Sequence, residues 1–101
     1  MSERILVSID PDIEDLVPGF LANRGRDVLR LEALVAAGAY TDIRLLGHSM
    51  KGAGGGYGFD RISELGAAIE GAALREDGAD VLAQSAALAD YLARVEIVSG
   101  G

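Results

Sequence analysis

The sequence predicts an all-α fold: an antiparallel up-down-up-down four-helix bundle with a short extra N-terminal helix and an extended lead-in. Three observations carry that reading. Apolar residues recur at helical spacing in successive stretches, only a few residues separate one stretch from the next, and Ala is used heavily. Short connections make consecutive helices antiparallel neighbours. Ala favours helix at little side-chain entropy cost and lets helices approach closely.

Taken in order, Ile5 to Ile9 is a β-leaning run with no evident strand partner, so it reads as the extended lead-in rather than part of a sheet. Asp10-Pro11 then opens a helix, because Asp accepts from orphan N–H groups and Pro suits the first helical position. Asp12, Glu14 and Asp15 complement the helix dipole, and Ile13, Leu16, Val17, Phe20 and Leu21 keep the spacing of one buried face. Pro18 falls inside that pattern, so the first helix breaks or kinks just before it. A longer helix runs to about Ala37 with Val28, Leu31, Leu34 and Val35 inward and Gly38 as its C-terminal cap. The next opens around Tyr40 to Asp42 and presents Ile43, Leu46 and Met50. Gly58-Phe59-Asp60 marks a boundary, after which Ile62, Leu65, Ile69 and Ala72 form a third face ending at Asp77-Gly78. Leu82 or Val81, Ser85, Leu88, Leu92 and Val95 make the last face, and Ser99-Gly100-Gly101 is expected to fray.

Composition narrows the function. A chain of 101 residues is one domain, spanning residues 1–101. A net charge of −7 argues against nucleic acid or an anionic membrane as partner, since both require a basic footprint. No Cys means no disulfide framework and no thiolate zinc site, which fits a reducing, cytoplasmic setting. The one His excludes a multi-His metal centre. No apolar run approaches the ~20 residues of a membrane span, and the N-terminus lacks a signal-peptide layout.

One segment departs from helix preference. Six of the fourteen Gly fall in GHSMKGAGGGYG, Gly47 to Gly58, together with the only His. Each Gly inside a helix costs about 1 kcal/mol relative to Ala, and such departures are expected at functional sites. A helix ending near Gly52 and continuing as a loop is one reading. A phosphate-binding loop fails on register, because Lys51 precedes Gly52 where Gly-Lys-Ser/Thr is required. If the helix continues, Ile43, Leu46, Met50 and Ala53 lie inward, with Tyr57 extending that stripe. Arg44, His48, Lys51, Gly52 and Gly55 then share the opposite face. A solvent-facing imidazole is largely neutral and nucleophilic near neutral pH. Lys51 brings a cation within one turn, and Gly52 and Gly55 leave room for another protein surface. A nucleophile, a counter-charge and clearance are what phosphoryl transfer between proteins requires. A lone His beside a Lys on a solvated face is the plain alternative.

His48-Ser-Met-Lys51-Gly52, followed by small residues and Gly58, resembles the signature of histidine-containing phosphotransfer (HPt) domains, stand-alone bacterial type. The leading Asp-Pro segment, the Leu-Gly pair before His48 and the Phe59 to Glu70 helix share the resemblance, while the Gly54-Gly55-Gly56 run is heavier than the family's usual Ala/Ser-rich stretch. The resemblance implies a four-helix bundle that shuttles a phosphoryl group between receiver-domain aspartates and a histidine. Carried over, it makes His48 the phosphoacceptor through Nε2 and Lys51 the group that stabilises the phosphoryl oxygens. Gly52 gives docking clearance; Arg44 and Gly55 join the partner-binding face by helical geometry. It implies response-regulator receiver domains and a hybrid sensor histidine kinase as partners. It also implies a monomeric phosphocarrier without ATP-dependent kinase activity or cofactor of its own, Mg²⁺ being supplied by the receiver. Two alternatives stand beside this reading. One is a non-catalytic helical adaptor whose Gly-rich face takes a partner helix. The other is the phosphoacceptor module of a chemotaxis-type kinase, which the short termini make the less favoured of the two phosphotransfer readings.

Overall fold

The computed structural model describes residues 3–99. Four helices, α1 (Val17–Ala36), α2 (Tyr40–Gly56), α3 (Asp60–Leu74) and α4 (Gly78–Arg94), lie between two short strands, β1 (Ile5–Ile9) and β2 (Val95–Ser99). α3 packs against α2 and α4, and α1 packs against α4 and α2. The protein is therefore mostly helical, as its periodicity predicts, with a small sheet that the periodicity does not predict.

That sheet corrects the N-terminal reading. β1 is no unpaired lead-in: it pairs in parallel with β2, Ile5 beside Val95 through Ile9 beside Ser99. The partner strand was hidden because Leu92 and Val95 continue the helical stripe of α4. The backbone turns extended at Val95, with φ −68° and ψ 136°. The Arg94 guanidinium secures the junction, its Nε donating to the Glu3 carbonyl at 2.7 Å. Ser99 is the last residue of β2, and Gly100 and Gly101 lie outside the described residues.

Asp10-Pro11 forms a turn, not a helix start. Asp10 Oδ1 accepts from the Asp12 N–H at 2.9 Å, and the Asp10 carbonyl from the Ile13 N–H at 3.0 Å. In place of the extra N-terminal helix there is a three-residue 3-10 turn, Glu14–Leu16. Pro18 does not break a helix; it sits in the first turn of α1, where its missing N–H has no intrahelical acceptor to lose. Leu16 consequently leaves the buried face and is 56% exposed, whereas Val17 and Phe20 are buried. In α4 the buried choice is Val81, with Leu82 exposed.

The three helix connections close alike. After α1, Gly38 at φ +66° lets the Ala39 N–H reach the Leu34 carbonyl and its own N–H reach Val35, both at 3.0 Å. After α2, Gly58 at φ +85° does the same, with Phe59 N–H on Gly54 at 2.8 Å and Gly58 N–H on Gly55 at 3.2 Å. After α3, Glu76 takes the left-handed position at φ +52°, with Asp77 N–H on Ala72 at 2.9 Å. Each closure satisfies carbonyls that a helix end otherwise leaves unpaired. The Gly-rich segment therefore stays helical through Gly56.

Leu31, Ile43, Met50, Phe59, Leu65 and Leu88 are among the fully buried side chains that fill the centre. Phe20 stacks on Tyr57 at 4.4 Å between ring centroids and on Phe59 at 5.5 Å, joining α1 to the end of α2. One buried charge lies beside this cluster. Asp27 is 9% exposed, and its Oδ2 meets Arg24 Nε at 2.8 Å. Burial raises the Asp27 carboxyl above its ordinary 3.8, and the pull of Arg24 offsets this only in part. The folded state therefore holds the proton more tightly than the unfolded chain does. The associated stability is complete below 3.8 and is lost as pH rises through the folded-state value. Asp27→Asn, which cannot ionise, is expected to raise the midpoint of thermal unfolding at about pH 7, with the gap narrowing towards about pH 4. Denaturation of both proteins at the two pH values checks this; a gap that widens on acidification contradicts it.

Candidate functional site

The glycines of the Gly-rich segment fall into two environments. Gly47 and Gly54 face α3. A Cβ on Gly47 would lie 2.7 Å from the Glu70 backbone N and 2.9 Å from the Gly66 carbonyl oxygen; one on Gly54 would lie 2.5 Å from the Ser63 N. From the other side, a Cβ on Gly66 would lie 2.5 Å from the Lys51 N. The backbones of α2 and α3 thus meet directly, and the Ser63 hydroxyl bonds the Lys51 carbonyl across the seam. Gly52 and Gly56 instead face open space, and Gly55 meets only Ser63 Oγ at 3.8 Å. The helical spacing sets Gly52 and Gly55 on one face with His48 and assigns no task to Gly47 or Gly54.

That close approach sets the surroundings of His48. Its side chain is 69% exposed, and Nδ1 lies 2.9 Å from Glu70 Oε2 on α3. Glu70 Oε1 lies 3.9 Å from Lys51 Nζ, the lysine being 53% and the glutamate 20% exposed. One carboxylate is therefore shared between the imidazole and the ammonium, one turn apart on α2. A carboxylate beside Nδ1 favours the tautomer with its proton there, which leaves the Nε2 lone pair outward. Nε2 has no hydrogen-bond partner among the described residues.

Arg44, one turn before His48, is half-buried and joins no ion pair among the described residues. Leu45, three residues before His48, is 54% exposed and lines a groove with Arg30, Asp42, Leu46 and Ser49. The face around His48 therefore offers an imidazole, two cationic side chains, an apolar side chain and bare backbone at Gly52.

Spacing within a single helix, which places His48, Lys51 and Gly52, does not point to Glu70. Glu70 is 22 residues away. It follows the buried Ile69 in α3, so its place depends on the crossing of two helices rather than on spacing within one. The signal in the sequence was indirect: Gly47 and Gly66 are the small residues that make so close a crossing feasible.

Residues 15–97 match the family model described as Hpt domain. No curated protein and no solved structure matches the chain significantly. No helix among the described residues is long and apolar enough to cross a membrane.

Proposed function

The chain belongs to the Hpt domain family, and from that premise we propose that it is a histidine phosphotransfer protein of a two-component phosphorelay, passing a phosphoryl group between receiver-domain aspartates and His48. The observation that carries the assignment of His48 is its exposed imidazole held at Nδ1 by Glu70. The Nε2 lone pair attacks the phosphorus of an aspartyl phosphate in line, the P–O bond breaks, and the carboxylate leaves with the electron pair. The ring keeps its proton at Nδ1 and becomes cationic as the N–P bond forms. Glu70 stabilises that developing charge. Lys51, now held loosely at 3.9 Å from Glu70, turns to the phosphoryl oxygens.

Gly52 and Gly55 leave the clearance for docking, with Arg44 at the rim beside Leu45. The partners in this reading are receiver domains and a hybrid sensor histidine kinase. Mg²⁺ belongs to the receiver's acidic pocket, because Glu70 is already engaged by His48 and Lys51. The chain acts as a phosphocarrier in the cytoplasm.

The direct test is to incubate the protein with a phosphorylated receiver and follow label onto the chain as acid-labile phosphate; absence of any transfer from a panel of receivers argues for the adaptor reading instead. A second result concerns the shared carboxylate. Glu70→Ala is expected to slow transfer by roughly tenfold to a hundredfold, the usual loss when a His-orienting carboxylate is removed. Glu70→Gln still accepts from Nδ1 and should fall between. Lys51→Ala should slow transfer as well, with the helical circular dichroism unchanged. Equal rates for all of these variants and the parent would remove Glu70 and Lys51 from the mechanism.

A further inference from the structure

The two strands rest on the bundle by one face only. Ile9 is buried and Ile5, Val7, Val95 and Ile97 pack partly against the core, whereas Leu6 and Val98 on the other face are 64% and 44% exposed. In a sheet of two strands each has an edge with no strand beside it. Among the described residues, no backbone group of Ile5–Ile9 bonds to the backbone outside the strand pair. Such an edge is a template for another strand, and proteins guard it with Lys, Pro or a bulge. Ile-Leu-Val-Ser-Ile contains none of these guards.

We propose that β1 pairs antiparallel with β1 of a second copy of this chain, joining the two sheets into one of four strands about a two-fold axis. A symmetric antiparallel pair sets one residue opposite its own copy. Only centring on Val7 places every residue of β1 opposite another strand residue: Ile5 against Ile9, Leu6 against Ser8, Val7 against Val7. That same register sets Arg4 opposite Asp10 of the second copy, twice by symmetry, so opposite charges close both ends. Both residues are exposed. Asp10 Oδ1 accepts from the Asp12 N–H, and Oδ2 is left for the guanidinium.

The other edge has no such match. Centring β2 on Ile97 sets Val95 against Ser99 and Glu96 against Val98, with no opposite charges facing. Pairing β1 with β2 of another copy leaves free edges that propagate instead of closing. The net charge of −7 on each chain opposes association, so the monomer expected from the sequence is the dilute form and the dimer the concentrated one.

Sedimentation velocity of the full chain from about 10 µM to about 1 mM tests this. The parent should shift from monomer towards dimer across that range. Arg4→Glu and Asp10→Arg should each remain monomeric, since each homodimer would face like charges at both ends. An equimolar mixture of the two should associate as the parent does, because both opposed pairs are then restored. Circular dichroism and thermal unfolding verify that each variant is folded. Should Asp10→Arg disturb its turn, Asp10→Asn keeps the acceptor for the Asp12 N–H and should weaken association by roughly tenfold. A parent that stays monomeric throughout overturns the proposal. So does association that survives both charge reversals, or a mixture that associates no better than its components.

Discussion

His48→Gln is expected to abolish phosphoryl incorporation from a phosphorylated receiver, leaving no acid-labile label above background. The size of the effect follows from the chain's composition as well as its geometry. There is one His in 101 residues, so no neighbouring imidazole can take over. Gln is close in length and its amide can still meet Glu70, so the α2–α3 seam should persist and the circular dichroism and unfolding midpoint should match the parent. An amide nitrogen has its lone pair delocalised into the carbonyl and is no nucleophile towards phosphorus. Labelling of the variant at the parental level would sink the assignment of His48. A variant that binds the receiver normally but takes no label would separate chemistry from docking.

Gly54→Ala is expected to be the most damaging single-methyl addition in the segment, and Gly52→Ala to be harmless or stabilising. Both replace a helical Gly, which alone favours Ala by about 1 kcal/mol. They differ in what the new Cβ meets. At Gly54 it would lie 2.5 Å from the Ser63 N, 3.0 Å from the Phe59 carbonyl oxygen and 3.1 Å from the Ile62 carbonyl carbon. These are backbone atoms of α3 and its cap, so no side chain can rotate aside and the helix itself must shift. Overpacking typically costs about 1–3 kcal/mol, and a backbone-to-backbone clash belongs at the upper end. A net loss of about 2 kcal/mol would lower the unfolding midpoint by roughly 10 °C in a domain of this size. At Gly52 nothing lies within 4 Å, so the helix preference should emerge as a midpoint a few degrees higher. Similar midpoints for the two variants would contradict the close approach of α2 and α3. Gly52→Ala also has a functional reading: weaker receiver docking with raised stability would support the clearance argument, and unchanged affinity would count against it.

The helices were legible because each carries a long, regular apolar stripe, and their ends were legible where Gly38 and Gly58 take the left-handed position. Pro18 was misread because the same residue starts a helix in its first turn and breaks one in the interior; which applies depends on where the helix begins. The β1–β2 pair was invisible because strand partnership between residues about ninety apart leaves no local trace, and Val95 fits the helical spacing as well as the strand. At the site, His48, Lys51 and Gly52 could be read from a single helix. Glu70 could not, since its position depends on how two helices cross.

The direct backbone contact between α2 and α3 bears on motion. Helices separated by long side chains can roll or slide as those side chains change rotamer. Where Gly47, Gly54 and Gly66 meet main chain, no such lubricant is present, and a small slide immediately drives atom into atom. The two helices are therefore expected to move as one blade, which would keep Glu70 beside His48. Residues that would loosen an isolated peptide here bring two main chains into direct contact.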